Sequence, residues 1–341
     1  MKSNFNRRGF IKASAITGIG LGLTGSFSSL YGQNNTLKGK RVGIIGLDTS
    51  HAIAFTKTLN AADSPPEYKG YKVVAAYPQG SKDIESSVAR VPGYIKAIKE
   101  LGVEIVDSIS DLLKKVDVVL LESNDGRVHL EQALPVFKAG KRMYIDKPIA
   151  ASLADTVAIF EASEKYKTPV FSASSLRYMD SAQEVVQGKI GKVLGADTYS
   201  PAALEKTHPD LLWYGIHGVE TLFTVMGAGC KSITRTHTEN TDVVVGVWED
   251  GRIGTFRGTR NGKSAYGGTV YGETGNMTLG PFGGYNPLLK QIIQFFDSGI
   301  PPVSAQETLE IVAFIEAADQ SKISGGASVD IVNLINKAKN K

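Results

Sequence analysis

Apolar and polar positions along this chain follow two alternating periods. Short, almost unbroken β-rich apolar runs fall at Arg41–Leu47, Tyr71–Tyr77, Val103–Val106, Val116–Glu122, Arg142–Ile145 and Pro169–Ser172. Between them lie segments of helical spacing at Ser50–Ala61, Asp83–Leu101, Ser108–Lys115, His129–Ala139 and Leu153–Tyr166. A strand that is apolar on both sides belongs inside a parallel sheet covered on both faces. Strands alternating with helices at this spacing predict a doubly wound α/β domain. Pro92-Gly93 is expected to interrupt the segment Asp83–Leu101.

After about Arg177 the texture changes. Val193–Tyr199, Ser232–His237, Asp242–Glu249, Arg252–Arg260 and Gly268–Tyr271 are short alternating runs divided by Gly and Asp turns, Asp250-Gly251 among them. They predict a mainly antiparallel sheet, with helices at Val219–Met226 and Ala305–Ser321. The chain therefore divides into an α/β domain at 33–150 and an α+β domain at 151–341, with 33–40 a loose linker.

Residues 1–32 stand apart. Asn6-Arg7-Arg8-Gly9-Phe10-Ile11-Lys12 precedes a weakly apolar Gly/Ser/Thr-rich stretch. This matches the twin-arginine export signal S/T-R-R-x-F-L-K except at Asn6 and Ile11. It predicts a periplasmic or otherwise exported protein, delivered already folded by the twin-arginine machinery. Gly32-Gln33 is the expected cleavage point. The chain carries 38 basic and 34 acidic residues, and four of the basic ones, Lys2, Arg7, Arg8 and Lys12, lie in this segment without any acid. Removing them leaves 34 of each sign, so no nucleic-acid surface is expected. Cys230 is the sole cysteine, which excludes an intrachain disulfide and a Cys-based metal site. The five histidines show no close ligand spacing, so no metal site is expected.

Candidate chemistry lies in two segments. Ile145-Asp146-Lys147-Pro148 ends a parallel strand, and Trp213-Tyr214-Gly215-Ile216-His217-Gly218-Val219-Glu220 carries a histidine in a Gly-flanked turn. Together with the strand ending at Gly46, the Ser123-Asn124-…-His129 loop, Ala139-Gly140-Lys141 and Arg177-Tyr178, they make the chain resemble the Gfo/Idh/MocA oxidoreductases. The resemblance covers nearly all residues after the signal. It implies an N-terminal Rossmann domain holding NAD or NADP, NAD being favoured. It also implies a C-terminal domain whose large open, mainly antiparallel sheet faces substrate and a second copy in a homo-oligomer. The reaction implied is hydride transfer from a carbohydrate or cyclitol hydroxyl. Lys147 and His217 become the catalytic pair, since alcohol oxidation needs a proton acceptor opposite the hydride acceptor. A lysine beside a cationic nicotinamide is disposed to lose its proton. Gly46, Asp48, Thr49, Ser50, His51, Ser123, Asn124, His129 and Pro148 become cofactor contacts, with His129 ordering its loop. Arg177, Tyr178, Trp213 and Tyr214 become substrate contacts.

Three departures accompany the resemblance. Gly46-Leu47-Asp48-Thr49-Ser50-His51 puts Asp48 and His51 where G-x-G-x-x-G has its second and third glycines. Asp48 either sets negative charge against the phosphates or caps the following helix. The second strand ends in Ala76-Tyr77-Pro78 without the usual ribose-binding acid. Trp213 replaces an Asp four residues before the histidine, leaving Asp210 or Glu220 as possible substitutes. Two rival functions stay open: redox-assisted glycoside cleavage on the same fold, and a binding protein that has lost the dinucleotide.

Overall fold

The computed structural model describes residues 39–263 and 265–340. Residues 1–32, expected to be a twin-arginine signal, lie outside the described residues. Six parallel strands, β1 (Arg41–Ile45), β2 (Lys72–Tyr77), β3 (Glu104–Ile105), β4 (Val118–Leu121), β5 (Met143–Asp146) and β6 (Val170–Ala173), form a sheet in the order β3-β2-β1-β4-β5-β6. Strand order reverses between β1 and β4, so the loops leaving these strands diverge and open a crevice at their carboxyl ends. The flanking helices are α1 (Ser50–Asn60), α2 (Glu85–Glu100), α3 (Ile109–Lys115), α4 (His129–Lys138) and α5 (Leu153–Lys165).

Each central strand buries alternate residues in two cores. Val42, Ile44, Val118, Leu120 and Tyr144 face one side, while Ile45, Val119, Leu121, Met143 and Ile145 face the other. β6 pairs with β5 and is buried throughout, so the first sheet runs to Ala173, beyond the expected edge at 150. Pro92 does not break its helix: α2 continues through it. Its ring costs the bond that Val88 C=O would accept, but Val88 and Pro92 both face solvent, where water can take that place.

The second sheet comprises β7 (Val193–Pro201), β8 (Cys230–His237), β9 (Thr241–Trp248), β10 (Ile253–Thr259), β11 (Gly267–Gly272), β12 (Gly275–Leu279) and β13 (Val329–Asp330), in the order β12-β11-β7-β10-β9-β8-β13. Its pairs are antiparallel except β7 with β10. The helices of this half are α6 (Asp180–Val186), α7 (Asp210–Trp213), α8 (Ile216–Met226), α9 (Asn286–Ser298), α10 (Ala305–Ile323) and α11 (Ile331–Lys339). One sheet face packs on α8 and α10. The other is open, with Tyr199, Val247, Ile253 and Tyr271 exposed.

Two contacts decide how the halves meet. A Cβ on Gly218 would come within 2.4 Å of the Phe256 ring, so only glycine lets α8 lie this close to β10. Helix α9 crosses back to the first domain. Its Leu288, Leu289, Ile292, Ile293 and Phe296 share a core with Val42, Ile44 and Phe171. Arg142 Nη1 donates to the carbonyls of Phe296 (2.5 Å) and Asp297 (3.0 Å), holding the carboxyl end of α9.

Arg235, fully buried on β8, ties the second domain together. It contacts Asp242 at 2.7 Å, Asp210 at 2.8 Å and Asp319 at 2.7 Å. Arg260 and Lys322 add charge to this cluster through Asp210 and Asp242, and Asp319 is paired with Arg235. Burial first, then the neighbouring Asp210, push the Asp319 carboxyl up to about 6. The native state therefore takes up this proton at a higher pH than the unfolded chain, whose Asp titrates near ~4. The penalty is fully present above about 6 and is relieved as pH falls through that value. We predict that wild type gains stability relative to Asp319→Asn by on the order of 2 kcal/mol between pH 7 and 4. Urea denaturation of both proteins across that range measures it; parallel curves would refute the assignment.

Candidate active site

A cleft of about 310 Å³ opens where the carboxyl ends of β1, β4 and β5 face α8. The first domain lines it with Thr49, Ser50, His51, Ser86, Arg90, Asn124, Asp146 and Lys147. The second contributes Ser175, Leu176, Ala203, Trp213, Tyr214, His217, Tyr266, Phe282 and Tyr285.

The crevice loops are held by Asp48. Its side chain is fully buried, Oδ2 accepting from Ser81 N and Oδ1 from Asn124 N, each at 2.9 Å. It thus joins the loops after β1, β2 and β4. Burial pushes its carboxyl above the usual range while the two amides pull it back. Asp48 does not cap α1. Thr49 occupies the cap position without a side-chain cap bond, and no acid lies in the first turn. Gly46 sits beside this knot at φ +88°, where a Cβ would fall 2.5 Å from Ser123 N.

Below the cleft, His51 Nδ1 lies 3.1 Å from Asp146 Oδ1 and 3.9 Å from Glu122 Oε2. Thr49 Oγ1 donates to Glu122 Oε2 at 3.3 Å. Asp146 Oδ1 also accepts from Lys147 N at 2.9 Å and Tyr144 OH at 3.2 Å. Burial works to raise Asp146, but His51 and Lys147 outweigh it and hold the carboxyl low. Glu122 is pushed well above the carboxylate range by burial and then by Asp146. Lys147 reaches the cleft from the end of β5, its Nζ 6.0 Å from the Tyr214 ring centre.

Across the cleft, His217 Nδ1 is 2.8 Å from Ser174 Oγ. That hydroxyl already accepts from Leu176 N at 3.2 Å, so its own proton is available to Nδ1 and Nε2 is left for the cleft. Burial, then Lys147, hold the imidazole well below its ordinary value, which keeps it neutral. Neither expected substitute carboxylate reaches it. Asp210 serves Arg235 and Lys322, and Glu220 pairs with Arg177 at 2.9 Å. Tyr214 and Tyr266 stand edge-on to the imidazole, ring centres 5.2 and 5.8 Å away, and their hydroxyls meet at 3.2 Å. Trp213 packs on His208, whose Nε2 lies 3.1 Å from Asp125 Oδ1 in the first domain.

The structure thus brings Thr49, Ser50, His51, Asn124, Trp213 and Tyr214 to one cleft with Lys147 and His217. Others assigned there serve elsewhere. Arg177 and Tyr178 do not line the cleft. The buried Arg177 guanidinium is enclosed by Glu220 and Glu307, and Tyr178 packs against the first-domain core. His129 joins the carbonyls of Ser123 (2.7 Å) and Ile149 (3.1 Å), and Ser123 Oγ donates to Gln132. Pro148 is buried behind Lys147. Sequence reading missed Ser86, Arg90, Tyr266, Phe282 and Tyr285. Only Ser86 and Arg90, one helical turn apart on α2, left a local signal.

The residues present fit a dinucleotide. The uncapped amides of α1 suit an anion. Arg90, with Nη1 3.2 Å from Asp48 O, adds positive charge, and Ser50 and Ser86 add hydroxyls. The Asp48 charge is spent on two amides rather than aimed at this space. Asp48→Ala should therefore loosen the loops instead of opening a better phosphate site. Loss of two charge-assisted bonds predicts ~2–4 kcal/mol of destabilisation. Chemical denaturation checks this; an unchanged midpoint would dismiss the knot.

The profile of the Gfo/Idh/MocA oxidoreductases, described by its NAD-binding Rossmann fold, matches residues 40–174. An uncharacterized oxidoreductase of Streptococcus pneumoniae serotype 4 is 24% identical over 182 residues, 48% of this chain and 49% of the relative. The chain thus spans about half the length of that relative. Among solved structures, a probable dehydrogenase of Thermotoga maritima aligns at 21% identity and TM-score 0.67, covering 86% of this chain and 99% of its own. The scyllo-inositol dehydrogenase of Lactobacillus casei, solved with NAD(H) and scyllo-inositol, aligns at 17% and 0.67, covering 86% and 100%. At these identities the structures establish the fold. The sequence match is narrower and agrees with them: over residues 40–174 this chain is similar to the NAD-binding Rossmann domain of the Gfo/Idh/MocA oxidoreductases.

Proposed function

We propose that this chain is an exported dehydrogenase that moves a hydride between a carbohydrate or cyclitol hydroxyl and a tightly held NAD(P), with NAD the first form to test. One observation carries the reading: Lys147 and His217, from different domains, line the same cleft as the uncapped start of α1. A nicotinamide bound there supplies the hydride acceptor. Lys147 Nζ takes the hydroxyl proton. His217, kept neutral by burial and turned by Ser174, holds the hydroxyl through Nε2. Trp213, Tyr214 and Tyr266 offer flat faces for sugar C–H surfaces.

The twin-arginine segment supports export of the folded, loaded enzyme. The open sheet face, with Tyr199, Val247, Ile253 and Tyr271 exposed, suits a second copy of the chain. The rival reading, a binding protein without dinucleotide, draws on Asp48 at the second glycine and Trp213 in place of a carboxylate.

Mass analysis of what denatured protein releases separates the two. NAD or NADP is expected, and absence of both under every loading condition would favour the rival. Lys147→Ala and His217→Ala should each lower turnover on a panel of pyranosides and inositols about 10²–10⁴-fold, with melting temperature and dinucleotide content little changed. Near wild-type rates in both variants would remove the pair from the mechanism.

A further inference from the structure

We propose that His51, Glu122 and Asp146 form a binding site for a divalent first-row metal cation in the cleft floor. The three come from the first turn of α1 and the ends of β4 and β5, neighbours only because strand order reverses between β1 and β4. One imidazole nitrogen and one oxygen from each carboxylate lie within 4.8 Å of one another. His51 Nδ1 stands 3.1 Å from Asp146 Oδ1, a hydrogen bond that a cation between the two would replace, and 3.9 Å from Glu122 Oε2. Ligands about 2.0–2.2 Å from zinc stand roughly 3–4 Å apart.

A second observation concerns one oxygen. Glu122 is fully buried, yet its Oε1 has no hydrogen-bond partner among the described residues. Buried acceptors are otherwise almost always paired, and a cation held by both oxygens of Glu122 would answer this one. The surrounding groups also hold the ligands in place. Thr49 bonds Glu122, while Tyr144 and the Lys147 amide bond Asp146. One imidazole with two carboxylates suits Zn²⁺, Mn²⁺ or Fe²⁺, and two carboxylates balance a dication beside a neutral imidazole. His51 and Asp146 line the cleft, so open coordination positions face bound substrate. A cation there would polarise a substrate oxygen. The site stands on these three side chains and does not depend on the dehydrogenase reading.

The test uses full-length protein stripped by chelator and then titrated with Zn²⁺ in a calorimeter. One Zn²⁺ per chain and a raised melting temperature are expected. Co²⁺ loaded in its place should give the visible bands of a four- or five-coordinate ion. Glu122→Gln, nearly isosteric, and His51→Asn should each weaken Zn²⁺ at least ~10-fold and remove the bands. Cys230→Ser and His237→Asn should leave both unchanged. No stoichiometric Zn²⁺, Mn²⁺ or Co²⁺ in wild type, or undiminished binding in a folded Glu122→Gln, overturns the proposal. Dinucleotide release is scored separately, so a metal-free protein that still yields NAD refutes only the metal site.

Discussion

A carboxylate removed from water must be given donors, and Asp48 takes them from the backbone of two other loops. The cleft floor depends on that exchange. Three loops leave the sheet at or next to the point where strand order reverses, and nothing in a parallel sheet ties them together. With Asp48 between Ser81 N and Asn124 N they become one surface, on which Thr49, His51 and Asn124 have fixed places. Where the family pattern has glycine for closeness to a ligand, this chain has a side chain that brings its own loops together.

The opposite wall is built on other terms. Gly218 lets α8 approach β10, and that approach sets His217 against Ser174. The imidazole is oriented by a hydroxyl where the family often uses a carboxylate. A neutral partner adds no charge to a site that already buries Asp146 and Glu122.

Much of this was legible in the residues. The parallel sheet showed because its strands are apolar on both faces, and Lys147, His217, Trp213 and Tyr214 showed because local motifs carry them. Arg177 was misplaced because its partners, Glu220 and Glu307, are distant in sequence. Tyr266, Phe282 and Tyr285 enter the cleft from a segment without periodicity. Glu122 read as a strand end, and only the fold sets it beside His51 and Asp146. Helix α9 did leave a trace, since Leu288, Leu289, Ile292, Ile293 and Phe296 repeat at helical spacing.

That helix bears on how the protein is made. The ribosome releases all six strands of the first sheet before Asn286–Ser298 exists. Until then one face of that sheet, with Val42, Ile44 and Phe171, lacks part of its cover. Synthesis therefore leaves the first domain unfinished until most of the chain has emerged. A nascent chain stalled before α9 would present that uncovered face to chaperones.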